Sequence, residues 1–126
     1  MAGQDSQGRY IPDNETSADA AVASAARTTT ANGTAFNTTN IDELMATLVI
    51  TAVTGTNPTM DITLETTADG TNFYAVAQTF PQQTTTNTGI SRVFSSLGSS
   101  SRWKWTIGGT ATPTFTFSIA ATQQRV

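Results

Sequence analysis

The sequence predicts an all-β protein: a single antiparallel β-sandwich, jelly-roll-like, of about seven or eight strands with an extended N-terminal arm. Three observations carry this. Met60, Ile62 and Leu64 alternate with Asp61, Thr63 and Glu65, and Phe115, Phe117 and Ile119 alternate with Thr116 and Ser118. Period-2 alternation marks strands with one face on a core and one on water. Threonine makes up roughly a fifth of the chain, far above ordinary usage, and its β-branched side chain favours strands. Turn signals then recur about every 10 to 12 residues from Thr47 onward, the spacing of a sandwich or jelly roll.

The 126 residues suffice for one domain. The boundaries read as an arm over 1–26, a sandwich over 27–122 and a short tail over 123–126. Within the arm, Tyr10, Ile11 and Pro12 break a polar, aperiodic stretch. Such an apolar group fits either an anchor on a neighbouring subunit or packing against its own domain. Ser17 to Ala26 is rich in alanine, which favours helix, but it lacks large apolar residues to hold a helix down and reads as extended or irregular. Asn32-Gly33 between Thr-rich arms predicts a type I′ hairpin or a bulge in one strand, with Phe36 as the buried member. Thr39 to Glu43 reads as a connection.

Thr47 to Val53 is apolar on both faces and should lie centrally in a sheet. Two similar segments then suggest two hairpins, Leu48 to Glu65 and Trp103 to Ala120. Each places an apolar strand before a Gly-Thr turn and an alternating strand after it. Asp69-Gly70 predicts a tight turn. Asn72 to Gln78 and Ile90 to Phe94 read as strands, and Leu97 to Ser101 as a turn. Pro81 to Gly89 reads as a polar, exposed loop without a core residue. The expected core is Leu48, Ile50, Met60, Ile62, Leu64, Phe73, Trp103, Trp105, Phe115, Phe117 and Ile119.

Chemistry is sparse. The chain has no Cys and no His, which removes thiolate metal sites and the commonest general base. A net charge of −3 with a single lysine, Lys104, argues against nucleic acid and polybasic membrane contact. No apolar run is long enough to span a membrane as a helix, and Met1 to Tyr10 lacks the regions of a signal peptide, so synthesis and folding are expected in the cytoplasm. Asp61 and Glu65 would stand about 13 Å apart along a strand, too far for a glycosidase pair. Asp42, Glu43 and Asp61 could supply oxygens to calcium, but no dense acidic loop supports this. A Ser-Lys pair would need Lys104, which points away from the Trp face. The expectation is no enzyme, no cofactor and no metal. Tyr74, Phe73 and Trp103 leave a carbohydrate-binding module open, since rings on a sheet face stack on sugars.

The run from Leu48 to Phe80 and that from Ser101 to Ala121 resemble small β-sandwich proteins of tailed-bacteriophage virions. The matching residues are Thr54 to Asp61, Asp69-Gly70, Arg102-Trp103 and Gly108 to Phe117, so the likeness covers rather more than half the chain and not the arm. The resemblance implies a structural virion component assembled in the host cytoplasm, most simply a capsid decoration (cement) protein on the outer head surface. Its partners would be the major capsid protein and copies of itself, often as trimers, with no nucleic acid and no membrane. A tail, neck or head-fibre subunit is the alternative within that class. A sandwich module binding a surface glycan is the alternative outside it.

Overall fold

The structure, a computed structural model, describes residues 3–4, 10–11, 14–16 and 20–125. In chain order the strands are β1 (Gly3–Gln4), β2 (Tyr10–Ile11), β3 (Asn14–Thr16), β4 (Val22–Arg27), β5 (Ala31–Asn32), β6 (Phe36–Asn37), β7 (Ile41–Thr67), β8 (Tyr74–Thr79), β9 (Ile90–Ser95) and β10 (Ser100–Arg125). All ladders are antiparallel, and among the described residues there is no helix. β1 and β2 form a small ladder of their own, and the remaining strands join one sheet.

The sheet is built on one long ribbon. β7 and β10 pair along their whole lengths, from Ser100 with Thr67 to Arg125 with Ile41. The ribbon is not straight. Trp105 and Phe117 lie on the same strand and would stand about 40 Å apart if it were extended. Their ring centroids are 5.5 Å apart. The ribbon therefore folds back on itself and makes two layers from one pair of strands. The fold line falls where the ladder shifts register, between Gly108 and Thr110 and again between Thr110 and Thr114.

This corrects the two hairpins expected from the sequence. The Gly-Thr and Pro-Thr signals do reverse the chain, but face to face across the core. Each segment pairs with the other segment and not with itself. The corner needs backbone that few side chains tolerate. Gly55 and Gly109 have φ of 108° and 121°, and Asn57, Ala111 and Thr112 also lie in the left-handed region, at 48°, 57° and 53°. A Cβ at Gly55 would stand 2.7 Å from the Pro113 Cα, and one at Gly109 would stand 2.8 Å from the Asn57 carbonyl oxygen. Glycine is what lets the two ribbon strands cross closely at the bend.

The first layer holds residues 41–54 of β7 and 114–125 of β10, flanked by β9, β4 and β3. The second holds 59–67 of β7 and 100–108 of β10, flanked by β8, β5 and β6. Leu48, Ile50, Phe115, Phe117 and Ile119 bury the inner face of the first layer, and Met60, Ile62, Leu64, Trp103 and Trp105 that of the second. Register explains the match, since Ile50 pairs with Phe117 and Ile62 with Trp105. Phe94 from the first layer meets Trp103 edge-on at 5.2 Å and Phe80 at 5.5 Å. Such ring pairs add about 0.5–1.5 kcal/mol each beyond burial.

Several expectations change here. Phe73 does not join the core. It precedes the first residue of β8, so no ladder sets its face, and it lies half-buried beneath the Arg102 guanidinium, 4.2 Å from the ring centroid. Val76 packs against the core from this strand instead. Asn32-Gly33 is not a I′ turn, because neither residue has a positive φ. β4, β5 and β6 all run along β10 as an interrupted edge, and the Gly33 N–H donates to the Trp103 carbonyl at 2.7 Å. The sheet thus takes in residues read as arm, since Asn14 to Thr16 pair with Gln124 to Thr122 and Val22 and Ala26 with Ile119 and Thr116. Residues 39–43 are not all connection, because β7 starts at Ile41. Ser17 to Asp19 lie outside the described residues, Ala20 lies in a turn, and Val22 to Ala26 of that alanine-rich stretch are extended in β4.

The 81–89 loop is also not a free tip. Gln83 is buried and exchanges two backbone hydrogen bonds of 2.8 Å with Met60. Asn87 donates its N–H to the Ile50 carbonyl and accepts the Ile50 N–H on Oδ1, each at 3.1 Å. Ile50 and Met60 stand on either side of the bend, so this polar loop straps the corner by satisfying backbone groups that a buried strand end would leave unpaired.

Two turns at the far end of the second layer generate predictions. A Cβ at Gly98 would fall onto the Thr67 carbonyl oxygen, whereas one at Gly70, with φ of 82°, would meet nothing. Gly98→Ala should therefore cost about 2 kcal/mol or more through forced displacement, and Gly70→Ala only about 1 kcal/mol of backbone strain. Urea unfolding of the two variants checks the order; equal costs would contradict it.

At the Asp69-Gly70 turn, the Asp69 carboxylate accepts hydrogen bonds from the Asn72 and Thr71 N–H groups, the Asn72 amide and the Thr67 hydroxyl. These bonds, the Asn72 N–H foremost, hold its pKa well below the usual carboxylate range. A carboxyl whose folded pKa is depressed stabilises the fold above its unfolded pKa, and that contribution fades as pH falls toward the folded one. Asp69→Asn should lower Tm at neutral pH, and the gap to the parent should close progressively below about pH 4. Thermal melts across pH read this directly; a gap independent of pH would count against it.

Candidate interaction surfaces

The alternation that fills the core also fixes what each layer shows outside. On the second layer, Asp61, Thr63 and Glu65 of β7 pair with Thr106, Lys104 and Arg102 of β10. This outer face carries charge of both signs. Arg102 Nε donates to Glu65 Oε1 at 2.9 Å, and Gln82 donates to Asp61 at 3.0 Å. The two acids thus serve as solvent-side partners of neighbouring groups, and the carboxylate-pair idea gains no geometry.

The outer face of the first layer is different. Its rows are Val49 with Ser118, then Ser91, Thr47 and Ala120, then Val93, Met45 and Thr122, and finally Ser95, Glu43 and Gln124. In these rows only Glu43 is charged. Thr47 and Ser91 satisfy each other across β7 and β9, with hydroxyl oxygens 2.7 Å apart. Met45 and Val93 remain 47% and 46% exposed. One side of the sandwich therefore carries charge of both signs, and the other is neutral from Val49 to Met45, with Glu43 at its end.

At the side of the sandwich, where the edge passes from β4 to β5, a cleft of about 390 Å³ is lined by Arg27, Asn32, Gly33, Thr34, Trp103 and Trp105, with Ala21 to Ala23. Arg27 points inward. Its guanidinium lies 4.4 Å over the Phe117 ring and 5.1 Å over Trp105. It donates to the carbonyls of Ala23, Ala25 and Phe117 at 2.8–3.0 Å. Burial lowers its pKa from the ordinary value. The Trp103 indole N–H donates to the Ala20 carbonyl at 2.8 Å. With exposures of 1% and 7%, Trp103 and Trp105 offer no ring face to a sugar, and the cleft is a packing seam closed by Arg27. Among the described residues, Tyr74, 72% exposed, has no second exposed ring beside it, because Phe73 is covered by Arg102.

The structure separates the remaining sequence candidates. Asp42 and Glu43 sit on the first layer and Asp61 on the second, and among the described residues no group of three metal-ligating side chains forms. Lys104 lies on the charged outer face, in register with Thr63 and Asn32. The backbones of Tyr10 and Ile11 pair with Gln4 and Gly3, while Pro12 lies outside the described residues. Sequence reasoning missed Leu44, Phe80 and Phe94 in the core. Phe94 was open to detection, since it shares a period-2 register with Ile90 in a stretch read as a strand.

Compared by sequence, the chain matches no protein family and no curated protein. Compared by structure, it resembles the crystal structure of SPBc2 prophage-derived protein YomS, with a TM-score of 0.54 and 15% identity. The likeness spans 88% of this chain and 95% of that one. At this identity the comparison establishes a likeness of overall fold and nothing about role.

Proposed function

We propose that this chain is a non-enzymatic structural component of a bacteriophage virion, specifically a capsid decoration protein that binds the outer head surface and stabilises the shell. The observation that carries this reading is the neutral outer face of the first layer, formed by Thr47, Val49, Ser91, Ser118 and Ala120. A face without charge loses little on being dried against another protein, whereas the opposite, charged face favours water. The fold shared with a prophage-derived protein supports the phage setting. The sequence resemblance to small virion sandwiches points the same way. Modest contacts repeated over a shell sum to a large total, so a small face per copy is sufficient.

Immunogold labelling of virions from cells carrying the gene tests the role. Label over heads is expected; label confined to tails would replace decoration by a tail or neck role, and unlabelled virions would overturn the reading. The docking face has its own test. Ala120→Arg should weaken head binding about tenfold or more by burying an unpaired charge, equivalent to about 1.4 kcal/mol or above. Thr106→Arg, on the opposite face, should leave binding unchanged. Co-sedimentation with heads separates the two, and equal effects would remove the neutral face from the proposal.

A further inference from the structure

β3 fixes where the preceding residues leave the sandwich. Thr16 pairs with Thr122, and Asn14 with Gln124. In the next strand Thr122 pairs with Met45 and Gln124 with Glu43, and beyond it Met45 pairs with Val93. Glu43, Met45, Val93, Thr122 and Gln124 line a shallow hollow of about 380 Å³. Asn14, the first residue of β3, therefore stands beside Gln124 at the rim of an exposed apolar hollow. Apart from Met1, the large apolar residues in that segment are Tyr10 and Ile11, with Arg9 ahead of them. Their chemistry matches the hollow: two apolar side chains for Met45 and Val93, and a cation for the acid at the rim, Glu43.

The segment's own chain is a poor host. From Asn14, three residues back to Ile11 span at most about 10 Å. Three strand spacings separate β3 from β9, about 14 Å, and Val93 lies two residues further along the ladder. Ile11 can reach the near wall of the hollow, at Thr122 and Gln124, from its own chain, but its backbone stops short of the far wall at Val93 unless β3 detaches. A second copy has no such limit. Because the departure point and the hollow adjoin, a two-fold axis beside them lets each segment cross to its partner over a short path, a self-complementary arrangement.

We propose that the Glu43–Met45–Val93 hollow receives the Tyr10–Ile11 segment of a second copy of this chain, in reciprocal exchange. The contact is between copies and does not require the head-binding role.

The chain has no cysteine, so disulfide trapping is clean. Ile11→Cys and Val93→Cys chains are mixed, oxidised mildly and run on non-reducing gels, alongside the doubly substituted chain. Exchange predicts a covalent heterodimer from the mixture and covalent dimers from the double variant. The yield should exceed that of an Ile11→Cys and Tyr74→Cys mixture by about tenfold, reflecting high local concentration. An internally linked monomer from the double variant would overturn the proposal in favour of docking within one chain. Yields no greater than the control would overturn it outright. Both positions lie outside the core or before it, so cooperative thermal melts should be kept, and head co-sedimentation of the same variants reads the decoration role separately.

Discussion

The whole architecture depends on the bend in one antiparallel ribbon. Two strands of ordinary sandwich proteins would each end where Gly55 and Gly109 stand. Here the chain continues, and both members of the pair turn together. That is possible only because the two backbones approach within a distance that any Cβ would obstruct, at Gly55 against Pro113 and at Gly109 against the Asn57 carbonyl. Ala111 and Thr112 accept left-handed backbone in the same corner, at a cost of about 1–2 kcal/mol apiece. The gain is that Trp105 and Phe117, on one strand, close over each other, and every inward residue of one layer finds a facing layer made from the same two strands.

What the sequence disclosed follows from range. Side-chain alternation is a local property with period 2, so the inward set from Leu48 to Leu64 and from Trp103 to Ile119 could be read residue by residue. Pairing is not local. Ile41 meets Arg125 and Thr67 meets Ser100, and nothing in either segment names its partner. Turn chemistry has a further ambiguity: Gly and Pro mark a reversal equally whether the strands then lie side by side or face to face. The 81–89 loop was misread for a related reason. Gln83 and Asn87 look like solvent residues, yet their role is to satisfy Met60 and Ile50. Phe73 escaped because alternation holds only inside a ladder, and β8 begins one residue later.

The surface was legible in part. Abundant threonine and few charges announced a neutral exterior. That four charges gather on one outer face could not be read, because it requires knowing that Asp61, Glu65, Arg102 and Lys104 share one layer while Thr47, Val49, Ser118 and Ala120 share the other. The Arg102 guanidinium over Phe73, held by Glu65, turns even the half-buried ring of the charged side into a wetted surface.

β10 is the partner of β3, β4, β5, β6 and β7 alike, and it is the last of these strands in the chain. During synthesis at about 5–20 residues per second, the earlier strands emerge without the one neighbour they share. Val22 to Arg27 and Ile41 to Ile50 would wait as unpaired, apolar strand edges for several seconds. Such nonlocal pairing slows folding and exposes edges to other nascent chains. The chain would be most vulnerable in that interval, and its yield should be set by how quickly β10 arrives.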